Sequence, residues 1–208
     1  MRIFFGRFIP SYLQVIFNQL INSYIENKVG LSTQFLSDEL IGHLKSNVAQ
    51  LAISNNLKEA GTSNGSIVIN KEVRSDQIFW LDKSHENEFE NQFLVMIDAF
   101  VLHLNSTCYT GITGYEFHYA LYDSGSFYSK HLDQFKSNDS RQYSMIFYLN
   151  QDWQIGDGGE LCIHHQDNSI QHIAPMAGTS VFFKSSELLH EVLLTNKPRM
   201  SITGWLKV

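Results

Sequence analysis

Apolar positions divide the chain into two stretches of different period. In the first, Phe17, Leu20, Ile21, Tyr24 and Ile25 stand three and four residues apart. That spacing predicts an amphipathic helix ended by Gly30. Ser37-Asp38-Glu39 has the form of a helix start, and Leu40, Ile41, Leu44, Val48, Leu51 and Ala52 follow on one stripe. Gly61-Thr62-Ser63-Asn64-Gly65-Ser66 predicts a loop or turn. Residues 88–104 predict a third helix. After Asn105 the runs become short, β-branched or aromatic, and are bounded by Gly, Asn and Asp. Strands are expected at 115–122, 143–149, 160–164, 169–173, 179–183, 191–194 and 200–207. Helices followed by about seven short strands make an α+β chain, with a sandwich or jelly roll as its β part.

Composition narrows the function classes. The 208 residues suit one domain; 43% are hydrophobic, 13% aromatic and 17% charged, a globular balance. Fifteen Lys and Arg against 21 Asp and Glu give a net charge of −6. A nucleic-acid backbone binder needs a basic face, so that class is not expected. The longest apolar stretch, 93–104, is interrupted by Asp98 and His103 and is too short to cross a bilayer. Residues 1–7 do not read as a signal peptide, because Arg7 and Pro10 break the run. A cytoplasmic chain without membrane or nucleic-acid partners is the expectation. Cys108 and Cys162 lie in apolar, strand-like surroundings and are expected as buried thiols, with a disulfide as the alternative.

Nine histidines direct attention to metal and acid–base chemistry. In His131-Leu132-Asp133 the imidazole and carboxylate are two residues apart, so an extended chain points both to one side. His190, placed before the strand 191–194, can supply a third ligand. Two His and one carboxylate on one face form the open triad of non-haem Fe(II) oxygenases. Alone, a His-x-Asp tripeptide is also a common chance occurrence. Arg199 adds weight. On the last strand Arg199, Ser201, Thr203 and Trp205 alternate with Met200, Ile202, Gly204 and Leu206. A guanidinium on an inward face needs an anion, and its planar fork suits a carboxylate. Two readings stand at this point: a carboxylate ligand, or a structural ion pair with an acidic residue of the chain.

Longer blocks extend the pattern. They are Val73-Arg74-Ser75-Asp76-Gln77-Ile78-Phe79-Trp80, Tyr128 to Asp133, Arg141, Ile146-Phe147-Tyr148-Leu149-Asn150 and Asp152-Trp153. Gly158-Gly159-Glu160-Leu161, Phe182-Phe183, His190-Glu191-Val192 and Arg199 to Trp205 follow. In this order the chain resembles the 2-oxoglutarate- and Fe(II)-dependent dioxygenases. Within them it is most similar to prolyl 4-hydroxylases of the oxygen-sensing, hypoxia-inducible-factor type. The resemblance runs from about residue 15 to the end. It implies a double-stranded β-helix (jelly roll, cupin-like) core with flanking N-terminal helices. The expected division is an extension over 1–14 and one catalytic domain over 15–208, helical to about 105 and jelly roll from about 106.

The resemblance also implies roles. His131, Asp133 and His190 would bind Fe(II), and Arg199 would anchor the distal carboxylate of 2-oxoglutarate. Tyr148, Thr203 and Tyr122 would line the same pocket. Arg141 and Trp205 would meet the substrate polypeptide, and the segment 59–76 resembles a hairpin that closes over it. O2 would be the second co-substrate, with ascorbate as a supporting reductant. The implied reaction is hydroxylation of a prolyl residue, at C4, in an exposed flexible segment of a protein. Lysyl, other amino-acid or small-molecule hydroxylation with the same cofactors is the alternative, and a non-oxidative cupin-like metal-binding module is a third reading. Other features take ordinary readings. His164-His165, at a strand end before Asp167-Asn168, is expected to start a turn rather than form a second metal site; His118 is expected in strand packing, and Asp157-Gly158-Gly159 in a turn that lets backbone run close to the site.

Overall fold

The computed structural model describes residues 9–61, 70–134 and 139–208. Three α-helices are present: α1 (Ser11–Asn27), α2 (Asp38–Ile53) and α3 (Glu88–Cys108). The strands are β1 (Gly30–Ser32), β2 (Lys58–Glu59), β3 (Gln77–Trp80), β4 (Gly114–Tyr122), β5 (Tyr128–His131) and β6 (Arg141–Tyr148). They continue with β7 (Leu161–His164), β8 (Ile170–Ile173), β9 (Ser180–Lys184), β10 (Leu189–Val192) and β11 (Arg199–Lys207). The Ser37 hydroxyl caps α2 at the Leu40 N–H, and the Asn87 side chain caps α3 at two N–H groups.

Two antiparallel sheets face each other. The larger has the order β1-β9-β6-β11-β4-β3-β2, and the smaller β5-β10-β7-β8. Strand alternation assigns each side chain of the larger sheet to one of two compartments. Phe117, Tyr119 and Leu121 of β4, Met145 and Phe147 of β6, and Ile202 and Leu206 of β11 join the helices in one core. Edge-to-face ring pairs tie that core together, among them Phe93–Phe147 at 5.2 Å and Phe17–Phe100 at 5.2 Å. Each such pair contributes about 0.5–1.5 kcal/mol beyond area burial. The alternate residues Ile146, Tyr148, Val181 and Phe183 form a second core with Leu161 and Ile163 of the smaller sheet. The helices therefore seal one face of the larger sheet, and the space between the sheets is left for chemistry.

The α+β, jelly-roll expectation matches this architecture, with several corrections. The order is not helices first: β1, β2 and β3 lie within the N-terminal part and extend the larger sheet at both edges. They have three, two and four residues, too few for a period to show. The boundary expected after residue 14 falls inside α1, where Leu13 is already a core residue, and Ile9 just before the helix is one too. Lys28, in a left-handed conformation, ends α1 before Gly30 is reached. Gly30 instead lets β1 approach α1, since a Cβ there would stand 2.6 Å from the Leu20 carbonyl oxygen. β10 begins and ends two residues earlier than the strand expected at 191–194, so His190 is its second residue. Cys108 is exposed at the end of α3, where the expectation was a buried strand position; Cys162 is buried, and both thiols are free. Residues 62–69, which carry all but Gly61 of the loop expected at 61–66 and the middle of the closing hairpin expected over 59–76, lie outside the described residues. No helix among the described residues is long and apolar enough to cross a membrane.

Gly204 shows how tightly the central strands are joined. A Cβ there would stand 2.2 Å from Phe117 Cδ1 and 2.3 Å from the Glu116 carbonyl oxygen. Gly204→Ala must therefore push β11 away from β4. We expect overpacking to cost about 1–3 kcal/mol, lowering Tm by about 2–4 °C per kcal/mol. Thermal unfolding followed by circular dichroism measures it; an unchanged Tm would contradict the close approach.

Candidate active site

β5 and β10 pair antiparallel with His131 opposite His190. Asp133 follows just beyond β5. The register brings the three side chains together: His131 Nε2 is 3.5 Å from Asp133 Oδ1, and His190 Nε2 is 3.7 Å from Asp133 Oδ2. One donor atom from each lies within 4.8 Å of the others. His131 Nδ1 donates to the Ser129 carbonyl at 2.7 Å, and His190 Nδ1 to the Leu188 carbonyl at 2.9 Å. Both rings are thereby held as the tautomer whose Nε2 lone pair faces Asp133, as a metal ligand requires. Ser144 donates to Asp133 Oδ2 at 2.6 Å and receives a hydrogen bond from Ser185 at 2.8 Å. Burial resists ionisation of Asp133, but His190, His131 and Ser144 hold its carboxyl well below the usual range. Burial, partly offset by Asp133, pushes the His190 pKa down, favouring the neutral ring. A ready carboxylate and two oriented imidazoles, with a face left open, could hold a divalent iron.

Tyr128 lies flat on His131, with centroids 3.6 Å apart, and the Arg74 guanidinium lies 4.2 Å over the other side of Tyr128. Arg74 is fixed by a two-point pair to buried Asp76, at 2.7 and 2.6 Å. Backbone bonds join the same segments: Ser129 N–H donates to Val73 and Ser75 N–H to Phe127.

Arg199 stands across the cavity and is 1% exposed. Its Nε donates to the Gly159 carbonyl at 2.9 Å. Gly159 has φ 67°, and a Cβ there would be 3.1 Å from Arg199 Cδ, so the expected close run of backbone is present. Among the described residues no ion pair joins Arg199 to any carboxylate. That removes the structural ion-pair reading and leaves a buried cation that could receive an acidic ligand. Tyr122 and Tyr148 flank the guanidinium at 4.9 and 5.0 Å. Among the described residues the buried Tyr148 hydroxyl has no partner at hydrogen-bond geometry; burial raises its pKa against the pull of the adjacent Arg199 charge, so it stays a neutral donor. Thr203 lies in the cavity between these groups and Trp205. An unpaired guanidinium, an orphaned hydroxyl and a threonine fit a dicarboxylate such as 2-oxoglutarate.

The cavity has a volume of about 490 Å³, and every expected site residue except Tyr148 lines it. Tyr148 sits behind Arg199, fully buried. At the mouth, Arg141 lies over Trp205, its guanidinium carbon 3.4 Å from the ring centroid. Glu116 holds it there, accepting from Arg141 Nε at 2.9 Å, while Lys207 pairs with the other Glu116 oxygen. His118 and Trp80 complete this wall, with rings 4.9 Å apart. His118 is therefore more than strand packing: it is buried at the cavity with Nδ1 unpartnered, and burial, with the nearby Arg74 charge, lowers its pKa to about 4. It is a neutral wall residue near pH 7. His118 and Ser144 went unassigned in the sequence, although each is a polar residue at an inward position of a buried strand. That pattern is the signal that finds them.

The sequence profile of the 2OG-Fe(II) oxygenase superfamily matches residues 117–207. The chain is 31% identical to a Pseudomonas putida prolyl-4-hydroxylase of known crystal structure, covering 93% of this chain and 100% of that one, with a TM-score of 0.85. This chain belongs to the 2OG-Fe(II) oxygenase superfamily. Two further structures share the oxygenase fold. One is a Trichoplax adhaerens prolyl hydroxylase in complex with a hypoxia inducible factor oxygen degradation domain peptide: 22% identity, 97% and 94% coverage, TM-score 0.84. The other is a viral collagen prolyl hydroxylase from Paramecium bursaria Chlorella virus-1: 21% identity, 88% and 97% coverage, TM-score 0.60. The oxygenase uses Fe(II), 2-oxoglutarate and O2. Together these supply an oxidant able to replace an unactivated C–H hydrogen by hydroxyl, with release of succinate and CO2.

Proposed function

We propose that this oxygenase hydroxylates a prolyl residue, at C4, in an exposed flexible segment of a protein. The observation that carries this reading is the full-length match to the Pseudomonas prolyl-4-hydroxylase. His131, Asp133 and His190 hold the iron on one side of the cavity. Arg199 takes the distal carboxylate of 2-oxoglutarate, with Tyr148 and Thr203 donating beside it and Tyr122 filling the wall. Ser144 supports Asp133 as the carboxylate, and the Ser129 and Leu188 carbonyls hold the two imidazoles with Nε2 toward it. The wall of Trp205, Trp80 and His118 gives an apolar surface on which a pyrrolidine ring can lie. Arg141, at the rim, meets the polypeptide on either side of it.

Incubation with a library of proline-containing peptides, Fe(II), 2-oxoglutarate and ascorbate tests the proposal by mass spectrometry. The expected result is one added oxygen on proline with one succinate per hydroxyl. Succinate formed with the oxygen on lysine or on a small molecule would replace the substrate assignment. Absence of succinate would indicate a metal-binding module without oxidation.

Arg141→Ala separates the rim from the centre. Its loss leaves Glu116 to Lys207, uncovers Trp205 and removes one long hydrogen bond to the Asp133 carbonyl, but it takes no ligand atom from the His131–Asp133–His190 cluster and no contact from Arg199. Peptide hydroxylation is expected to fall about tenfold or more, as for a contact worth roughly 1.4 kcal/mol. Peptide-free consumption of 2-oxoglutarate should fall much less. Measured side by side, equal losses in the two rates would withdraw Arg141 from substrate binding.

A further inference from the structure

β7 and β10 run side by side in the smaller sheet, with His190 opposite Ile163 and Glu191 opposite Cys162. The pleat turns His190 and Ile163 inward. It turns Cys162, His164 and Glu191 together onto the outer face, away from the oxygenase centre. His164 ends β7, at the end of the strand expected over 160–164. Cys162 Sγ is 3.7 Å from His164 Nε2, and His164 Nε2 is 2.7 Å from Glu191 Oε1. One donor atom from each lies within 4.8 Å of the others. Cys162 is buried, while the side chains of His164 and Glu191 are 18% and 26% exposed.

We propose that Cys162, His164 and Glu191 form a second metal site for a zinc-class divalent ion. One thiolate, one imidazole and one carboxylate are a donor set that zinc accepts, at about 2.3 Å for sulfur and about 2.0–2.2 Å for nitrogen and oxygen. At tetrahedral angles those bond lengths separate sulfur and nitrogen by about 3.5 Å, close to the 3.7 Å present here. The same geometry separates nitrogen and oxygen by about 3.3 Å. The His164–Glu191 contact must therefore open by several tenths of an ångström, which rotation of the solvent-edged Glu191 side chain supplies. Three ligands come from two hydrogen-bonded strands, so the backbone needs no rearrangement. Solvent completes the coordination. The thiol also lies in hydrogen-bond reach of Glu191, and burial with the Glu191 charge raises its pKa, so an incoming metal must displace the Cys162 proton. The site is independent of the proposed prolyl substrate.

The full-length, metal-stripped protein titrated with Co(II) tests this directly. A thiolate bound to Co(II) gives a sulfur-to-metal charge-transfer band in the near ultraviolet, and the nitrogen and oxygen ligands of the oxygenase centre cannot produce it. The expected band saturates by two Co(II) per chain in the wild-type protein and by one in Asp133→Ala, and Zn(II) in excess of both sites abolishes it. It persists in Asp133→Ala and in Cys108→Ser, and it is lost in Cys162→Ser. His164→Ala and Glu191→Gln, which alter only the site's edge, should weaken Co(II) binding at that band if Cys162→Ser does not fold. Absence of the band in the wild-type protein would overturn the proposal. So would its survival in Cys162→Ser with loss in Cys108→Ser, or unchanged affinity in both His164→Ala and Glu191→Gln.

Discussion

Arg199→Lys is expected to weaken 2-oxoglutarate binding at least about 30-fold while leaving Fe(II) binding near the wild-type value. The Arg199 Nε is committed to the Gly159 carbonyl, so the terminal nitrogens form the edge turned toward the cavity. A lysine keeps the charge but offers one ammonium in place of a planar fork, and it cannot also hold Gly159. Breaking a buried, hydrogen-bonded charge pair costs about 2–5 kcal/mol, and 2 kcal/mol corresponds to the 30-fold loss. Thermal unfolding gives a readout separate from turnover. At 100 times its Kd, 2-oxoglutarate should stabilise the wild-type protein by about 2.7 kcal/mol. For a chain of this size that is a rise of about 5–10 °C in Tm. The variant at the same concentration should show little rise. Equal shifts in the two proteins would mean that the co-substrate carboxylate lies elsewhere.

The second large effect concerns Asp133. Asp133→Asn keeps the shape and can still accept from Ser144, so the fold should survive. It removes the anion that balances a divalent metal between His131 and His190. Fe(II) affinity should fall by more than the roughly 10–100-fold typical of losing an outer hydrogen-bond partner. Ser144→Ala is that outer-partner case and should fall within the range. Anaerobic titration in a Cys162→Ser background keeps the outer-face cluster from contributing to the count. Undiminished affinity in Asp133→Asn would remove this carboxylate from the iron site.

The contrast between strands explains which parts of this chain were legible. β4, β6, β9 and β11 are buried on both faces, and their apolar runs with polar residues at inward positions read clearly. β5 is Tyr-Ser-Lys-His at a sheet edge, with β10 on one side and an isolated bridge to Arg74, so neither hydrophobicity nor alternation marks it. It carries His131 all the same, and the His-x-Asp spacing located it where strand propensity did not. The partners that orient the two imidazoles are carbonyls of Ser129 and Leu188, groups that every residue possesses and no sequence pattern distinguishes. Arg199 stood out because a cation at an inward strand position needs an explanation. Cys162, His164 and Glu191 did not, because Glu191 is far along the chain and only the β7–β10 register brings it opposite Cys162.

The stack of Arg74, Tyr128 and His131 ties the pocket wall to the iron ligands. Residues 70–76 reach β5 through the Arg74–Tyr128 bridge and the flanking backbone bonds, and they continue into β3, which ends at Trp80. Segments joined in this way open to solvent as one cooperative unit. The amides of 73–76 and of 128–131 are therefore expected to share one opening equilibrium. A peptide lying on Trp80, as proposed, should then slow hydrogen exchange at His131, a change read as rigidity at the candidate metal cluster.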